Sequence, residues 1–186
     1  LKYQPLRNNI AYSVAMDDKC GLWVVMEAFR RVSSAKLDCA LFSVSTVQEE
    51  VGLRGATTSS FSVQAHVGIA VDVTHATDCP TIDKKQEGDV RLGGGPVVYR
   101  GPNMNPVVHQ KLVQASKSRN IAIQLAASGR ATPTDANAMQ TSRGGVATAL
   151  VSIPNRYMHS PVETISLDDI DRAADLLAAF VCDLKA

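Results

Sequence analysis

Aromatic side chains are scarce in this chain, at 5% of 186 residues. A surface on which bases or sugar rings stack in number is therefore not expected. An excess of one charge is lacking too. Nineteen basic side chains stand against eighteen acidic ones, which argues against a large nucleic-acid or polyanion surface. No apolar run is long enough to span a membrane, and no signal peptide opens the chain, so no membrane partner is expected. The four cysteines, Cys20, Cys39, Cys79 and Cys182, are far apart and form no C-x-x-C pair. Cys20, Cys39 and Cys182 lie in apolar or helical context, where a free thiol behaves as a small hydrophobe, and Cys79, in a loop, is the one open to exposure. A reduced, cytoplasmic protein is the reading these give. Internal repeats and low-complexity tracts are lacking as well. The opening Leu1-Lys2-Tyr3-Gln4-Pro5-Leu6 has neither an initiator methionine nor a processing signature, so Leu1 reads as an interior residue.

What is there is a hydrophobic content of 45%, enough for one domain with a substantial core. Strand and helix patterns alternate. Strands are expected over 10–15, 37–46, 67–73, 97–100, 121–126 and 147–153, and helices over 21–32, 53–60, 107–119, 135–141 and 167–184. The 37–46 run is apolar on both faces, as a buried sheet strand is. Leu22, Val25, Met26 and Phe29 should face inward from the first helix, Val108, Leu112 and Ala115 from the third, and Ile170, Ala174, Leu177 and Val181 from the last. Ser166 reads as the N-cap of that last helix, and Asp168 and Asp169 suit the positive end of its dipole. Residues 75–95 form a long loop rich in Gly, Pro, Asp and Lys, a length more often functional or mobile than ordinary. Alternation of this kind gives an α/β fold, a sheet with helices on both faces.

Two adjacent glutamates, Glu49 and Glu50, close the 37–46 run. Paired carboxylates repel each other and are costly to desolvate, and one reason to keep both is a metal that holds one while the other works as a base. Asp17 follows the first expected strand, Asp72 ends the third, and His159 follows the strand over 147–153. Ligands of open α/β sheets gather at the carboxyl ends of strands. Carboxylates with an imidazole suit zinc, cobalt or manganese, and the lack of cysteine ligands argues against a structural zinc knot. Taken singly, each residue has a plainer reading. Asp17-Asp18 can cap the helix that follows, Glu49-Glu50 can be a solvated pair, and His159 can be a loop histidine. Asp72, inside an apolar run, needs a partner of some kind. Taken together they favour a metal site. His75 is open to an orienting role or a purely structural one, and His66 and His109 read as surface.

Three segments carry a resemblance. Val47-Gln48-Glu49-Glu50-Val51-Gly52-Leu53-Arg54-Gly55-Ala56, Ala70-Val71-Asp72-Val73-Thr74-His75-Ala76 and Ile153-Pro154-Asn155-Arg156-Tyr157-Met158-His159-Ser160-Pro161 resemble the glutamyl or deblocking metalloaminopeptidases that build tetrahedral particles. Some of that family carry the label cellulase M or endoglucanase. The resemblance runs from about residue 10 to the C-terminus. It implies a three-layer α/β/α fold with a mixed, mainly parallel sheet, like other zinc peptidases and incomplete at its N-terminal side. It implies residues 1–9 as the remnant of the return from an inserted domain, and 10–186 as the catalytic domain without its N-terminal segment.

The resemblance also implies two divalent metal ions. Asp17 would bridge both, Glu50 and His159 would complete one site, Asp72 would belong to the other, and Glu49 would be the general base. The Asp72 site in the family takes a further histidine from an upstream motif, and no histidine precedes Asp17 here. The family's Gly-Gly-Thr-Asp-Ala appears as Ala131-Thr132-Pro133-Thr134-Asp135-Ala136, with the Thr-Asp-Ala core kept. Implied partners are peptide substrates and further copies of the chain, as a dodecamer in full-length members. The expected activity is removal of N-terminal residues from peptides. Two rivals stand beside it: a catalytically inactive piece with an assembly role, and a glycoside hydrolase. The latter needs two carboxylates about 5 to 9.5 Å apart flanking a sugar, which adjacent glutamates do not obviously supply.

Overall fold

The structure, a computed structural model, describes residues 2–80 and 82–185. Leu1, at the head of the expected 1–9 remnant, Thr81, inside the 75–95 loop, and Ala186, the last residue of the expected catalytic domain, lie outside the described residues. The chain runs β1 (Gln4–Pro5), β2 (Ile10–Ser13), α1 (Met16–Arg31), α2 (Arg54–Val63), β3 (Val67–His75), α3 (Lys84–Glu87), β4 (Val97–Arg100), α4 (Pro106–Ser118), β5 (Gln124–Ala127), α5 (Asp135–Gln140), β6 (Ala147–Arg156), β7 (Glu163–Ser166) and α6 (Leu167–Asp183).

β6 is the spine of one mixed sheet. Its Val, Ile, Leu and Ala side chains are buried on both faces, the pattern of a central strand. β3 runs parallel to it in register from Val67 opposite Ala147 to His75 opposite Asn155. The other edge of β6 meets β4 antiparallel at Val151 and Ser152, and then β7 antiparallel at Asn155 and Arg156. β2 and β1 extend the sheet beyond β7, and β5 pairs parallel with β4.

The two-residue period of the strands sorts side chains into two layers. Val67, Ile69, Val71 and Val73 on β3 join Ala149, Val151 and Ile153 on β6 in the larger core, under α1, α4 and α6. Ala70 and Leu150 point the other way, into a smaller core with Met104, Ala136 and Met139. The layers are those of an α/β/α sandwich.

Several inward faces match the expected ones. Val108, Leu112 and Ala115 of α4 and Ala174, Leu177 and Val181 of α6 are buried, while Ile170 is half-buried. The first helix is turned from the expected face. Val24 and Ala28 enter the core, whereas Leu22, Met26 and Phe29 are exposed. Ser166 stands at the N-cap of α6 without a side-chain capping bond. Cys39 is the exposed thiol, and Cys79 is half-buried.

The expected strand over 37–46 does not form. Among the described residues, no backbone–backbone hydrogen bond joins any residue of that run to another segment. A central strand exists through its neighbours, and among the described residues β3 pairs only with β6. The run instead helps to line an apolar cavity of about 1090 Å³, whose walls include Leu41, Phe42 and Val44 together with Leu22, Phe29 and Phe180.

The 75–95 loop is tied down at several points. Thr77 N–H donates to Val90 O at 2.7 Å, and Val90 N–H donates to Thr77 Oγ1 at 2.9 Å. Asp78 accepts Leu92 N–H at 3.1 Å and takes a two-pronged bond from the Arg156 guanidinium at 2.8 and 2.7 Å. Asp169, wholly buried in the first turn of α6, accepts Gly93 N–H and Gly95 N–H, each at 2.7 Å. Gly95 has φ +95°, and a Cβ there would strike the Ala122 carbonyl, so the turn requires glycine.

Replacing Asp169 by Ala orphans the N–H donors of Gly93 and of buried Gly95. A hydrogen bond to a charged group contributes about 1.5–3 kcal/mol, so Asp169→Ala should lower unfolding stability by about 2–5 kcal/mol, read by urea denaturation. A loss under about 0.5 kcal/mol, the usual span of a neutral surface change, would show that the loop is not anchored there.

Candidate metal centre

Each candidate side chain is delivered by a local device. β2 ends at Ser13, and the chain enters α1 through Asp17 and Asp18, whose φ/ψ values are not helical and whose joining peptide bond is cis. Capping and the turn toward the site divide between the two aspartates. Asp18 Oδ1 accepts Gly21 N–H at 2.9 Å, capping the helix proper. Gly21 permits this, because a Cβ there would overlap the Asp18 carboxylate. Asp17 turns its carboxylate to His159, with Oδ2 3.0 Å from Nε2.

Glu49 and Glu50 lie on the tight turn that opens α2. Glu49 O accepts Gly52 N–H at 3.1 Å and Leu53 N–H at 3.0 Å, and Gly55 N–H returns to Val47 O at 2.8 Å. A Cβ on Gly55 would run into the Val47 backbone, so this close return depends on glycine. His159 sits in the link between β6 and β7 with φ 62°. Asp72 lies within β3, three residues before its end rather than at it, because the strand continues to His75.

Asp17, Glu50 and His159 each offer a ligand atom, and these atoms all lie within 4.8 Å of one another. His159 Nε2 is also 3.7 Å from Glu50 Oε1. Two carboxylate oxygens and one imidazole nitrogen, drawn from three separate segments, are a donor set for zinc or a similar divalent ion. The site is open to a ligand: the side chains of Glu50 and His159 are 60% and 62% exposed, against 11% for Asp17. Asp72 is not within that cluster. Its Oδ1 accepts the N–H of its own neighbour Val73 at 2.8 Å.

The carboxylates crowd one another. Burial, then the charges of Glu50 and Glu163, push Asp17 up to about 6, against the pull of His159. Burial, then Glu50, Asp135 and Asp17, raise Glu49 to about 7. Burial raises Asp72 to about 7, opposed by the Val73 N–H and reinforced by Glu49, Asp17 and Asp135. Burial and the charge of Asp72 take Asp18 to about 9, against its bond from Gly21. Carboxyls that resist ionisation because of their neighbours are what a bound cation would relieve. The residues therefore fit a metal.

Sequence reasoning gave no site role to two carboxylates of this neighbourhood, Glu163 and Asp135. Glu163, buried on β7, accepts the N–H of Asp17 and the N–H of His159. Asp135 accepts the Thr46 hydroxyl at 2.6 Å through Oδ2, while its buried Oδ1 has no hydrogen-bond partner among the described residues. Asp18, read in sequence beside Asp17, feels the charges of Asp72 and Asp17. Asp135 was visible in sequence as the Thr-Asp-Ala core. Glu163 had no signal beyond its place four residues after His159.

The family model described as M42 glutamyl aminopeptidase matches residues 2–176. The lysyl aminopeptidase of Pyrococcus furiosus is 42% identical over 172 residues, which cover 91% of this chain and 48% of that protein. The solved aminopeptidase of the archaeon Desulfurococcus kamchatkensis superposes with a TM-score of 0.90 at 38% identity, over 98% of this chain and 52% of that one. The TET1 peptidase of Pyrococcus horikoshii, which can assemble into a tetrahedron or a large octahedral shell, gives a TM-score of 0.83 at 28% identity, over 98% and 53%. The chain thus spans about half the length of the relatives it matches.

In the unfolded chain these carboxyls titrate near their ordinary values of 3.8 and 4.5. In the folded, metal-free chain they hold their protons to about pH 6, 7 and 9. Across that window the folded state binds more protons, so stability falls as pH rises. The Tm of chelator-treated protein should therefore decline between about pH 4 and about pH 9, and added zinc should flatten the decline. A Tm that rises over this range without metal would show that the carboxylates do not oppose one another.

Proposed function

Because the chain belongs to the M42 glutamyl aminopeptidase family, we propose that it is the metal-binding catalytic part of an aminopeptidase that removes N-terminal residues from peptides. The observation that carries this reading is the meeting of Asp17, Glu50 and His159 ligand atoms within 4.8 Å. Three protein ligands are the usual count for a catalytic zinc, which keeps a further position for water or substrate. Those three would hold one divalent ion, zinc, cobalt or manganese. Asp17 would bridge to a second ion that Asp72 helps to hold. Bound there, the ions supply polarisation of the scissile carbonyl and acidification of the attacking water.

Glu49 is the general base of the proposal. Its neighbour Glu50 is committed to the cation cluster, while Glu49 stays outside it. A base works best with a pKa near the working pH, and Glu49 is raised to about 7 by burial and by Glu50. It takes the proton of the attacking water and hands it to the departing amine. The apolar cavity reaches the same carboxylates, since Asp17, Glu49, Glu50 and Asp72 all lie on its wall. Assembly into a homo-oligomer belongs to the proposal too, supported by the assembly of the Pyrococcus horikoshii relative.

A second reading rests on one observation. Asp72 stands outside the cluster, and two carboxylates are few ligands for a second ion. On that reading this part of the fold holds one metal and turns over little peptide without further ligands.

Amino-acid anilides with and without cobalt or zinc separate the two. Metal-dependent release of aniline supports the peptidase reading for this chain, and tight metal binding without release supports the second. Where turnover is measurable, Glu49→Gln should lower it by about 100- to 10,000-fold, the range for a lost general base, with zinc stoichiometry unchanged. Turnover within about 3-fold of the unsubstituted protein, far short of that range, would remove Glu49 from the role.

A further inference from the structure

We propose that Glu163 is a positioning residue: one buried carboxylate that clamps the backbones of Asp17 and His159 together and so sets the spacing of the cation site between their side chains. The proposal rests on the metal-site reading above and deepens it.

Glu163 is the first residue of β7, opposite Ser13 at the end of β2, and is 3% exposed. Its two oxygens are divided between two segments far apart in sequence. Oε2 accepts the N–H of Asp17 at 3.1 Å, and Oε1 accepts the N–H of His159 at 2.8 Å. The side chains of the same two residues meet at 3.0 Å on the other side. Neither N–H has a backbone acceptor among the described residues.

Both segments need such a restraint. Asp17 has non-helical φ/ψ at the mouth of α1, and His159 has φ 62° in the link between β6 and β7. Among the described residues neither backbone has regular helix or ladder geometry, whereas Glu163 is fixed by its pairing with β2. The two oxygens of one carboxylate cannot separate, so the two amides cannot drift apart without losing a charge-assisted bond. Partners behind metal ligands commonly act on the ligand side chain. Here the partner acts on the ligand backbone, and one group serves two ligands at once.

The chemistry requires glutamate. Two N–H donors need two acceptors, and an ionised carboxylate is acceptor-only. Glutamine offers one acceptor and one donor, so an amide in this place faces one N–H with another. Burying the charge is costly without bonds, and these two N–H groups are the hydrogen bonds Glu163 makes with its carboxylate among the described residues.

The test compares the unsubstituted chain with Glu163→Gln, which preserves side-chain volume. In metal-free protein, amide hydrogen exchange followed by NMR should accelerate at Asp17 and His159 together, with α6 amides unchanged. In calorimetric titration with zinc, at a temperature where both chains are folded, affinity should fall by about 10- to 100-fold, the range for lost partners behind metal ligands. If Glu163→Gln fails to fold, Glu163→Asp keeps the charge but loses one methylene of reach, and the same two readouts apply. Unchanged exchange at both amides, or zinc affinity equal to the unsubstituted chain in a folded variant, overturns the clamp. No zinc binding by the unsubstituted chain would overturn the metal reading instead, and the exchange measurement would still decide whether Glu163 joins the two backbones.

Discussion

The parallel ladder of β3 on β6 is the constraint from which the rest of the molecule is built. Nine consecutive residues of each strand stand in register. Parallel strands need cover on both faces, and that need recruits α1, α4 and α6 to one side and α5 to the other. The same ladder fixes where chemistry can occur. β6 runs on through Arg156 to the link carrying His159, and β7 returns beside it to place Glu163 behind that link. β2, held by β7, brings Asp17 to the same spot. A one-residue slip would turn Asp72 into the larger apolar core and Val71 and Val73 out of it.

Against that scaffold works a repulsion. Asp17, Asp18, Glu49 and Asp72 all hold their protons more tightly than free carboxyls do. The fold keeps them together with restraints outside the cluster: the Asp18 bond from Gly21, the turn around Glu49 closed by Gly55, and the Glu163 bonds to two backbones. Such an arrangement is costly for stability alone, and sites of this kind are where function is expected. A cation among Asp17, Glu50 and His159 would turn the mutual repulsion into shared attraction.

Particular residues show how far the sequence could be read. The alternation of patterns gave the α/β class, and the inward faces of α4 and α6 followed from helical spacing because those helices pack by one stripe against the sheet. The face of α1 did not follow. Leu22, Trp23, Met26 and Phe29 are large apolar residues of α1 and stay exposed, whereas the smaller Val24 and Ala28 enter the core shared with α6. The 37–46 run shows the opposite failure. Its composition is that of a central strand, but ladder pairing belongs to a pair of strands, and its own residues cannot supply the partner.

The same division holds at the site. Motifs in the sequence marked Asp17, Glu49, Glu50, Asp72 and His159, because carboxylates and an imidazole after strands are legible as residue types in order. Tertiary structure decided which of them meet: Asp17, Glu50 and His159 within one cluster, and Asp72 beside it. It alone showed what Glu163 and Asp169 hold, two buried carboxylates whose partners are backbone N–H groups, all but that of His159 distant along the chain. The reason is physical. A backbone donor carries no residue identity, so a side chain that serves one leaves no pattern in the sequence, and only the folded path of the chain shows what it holds.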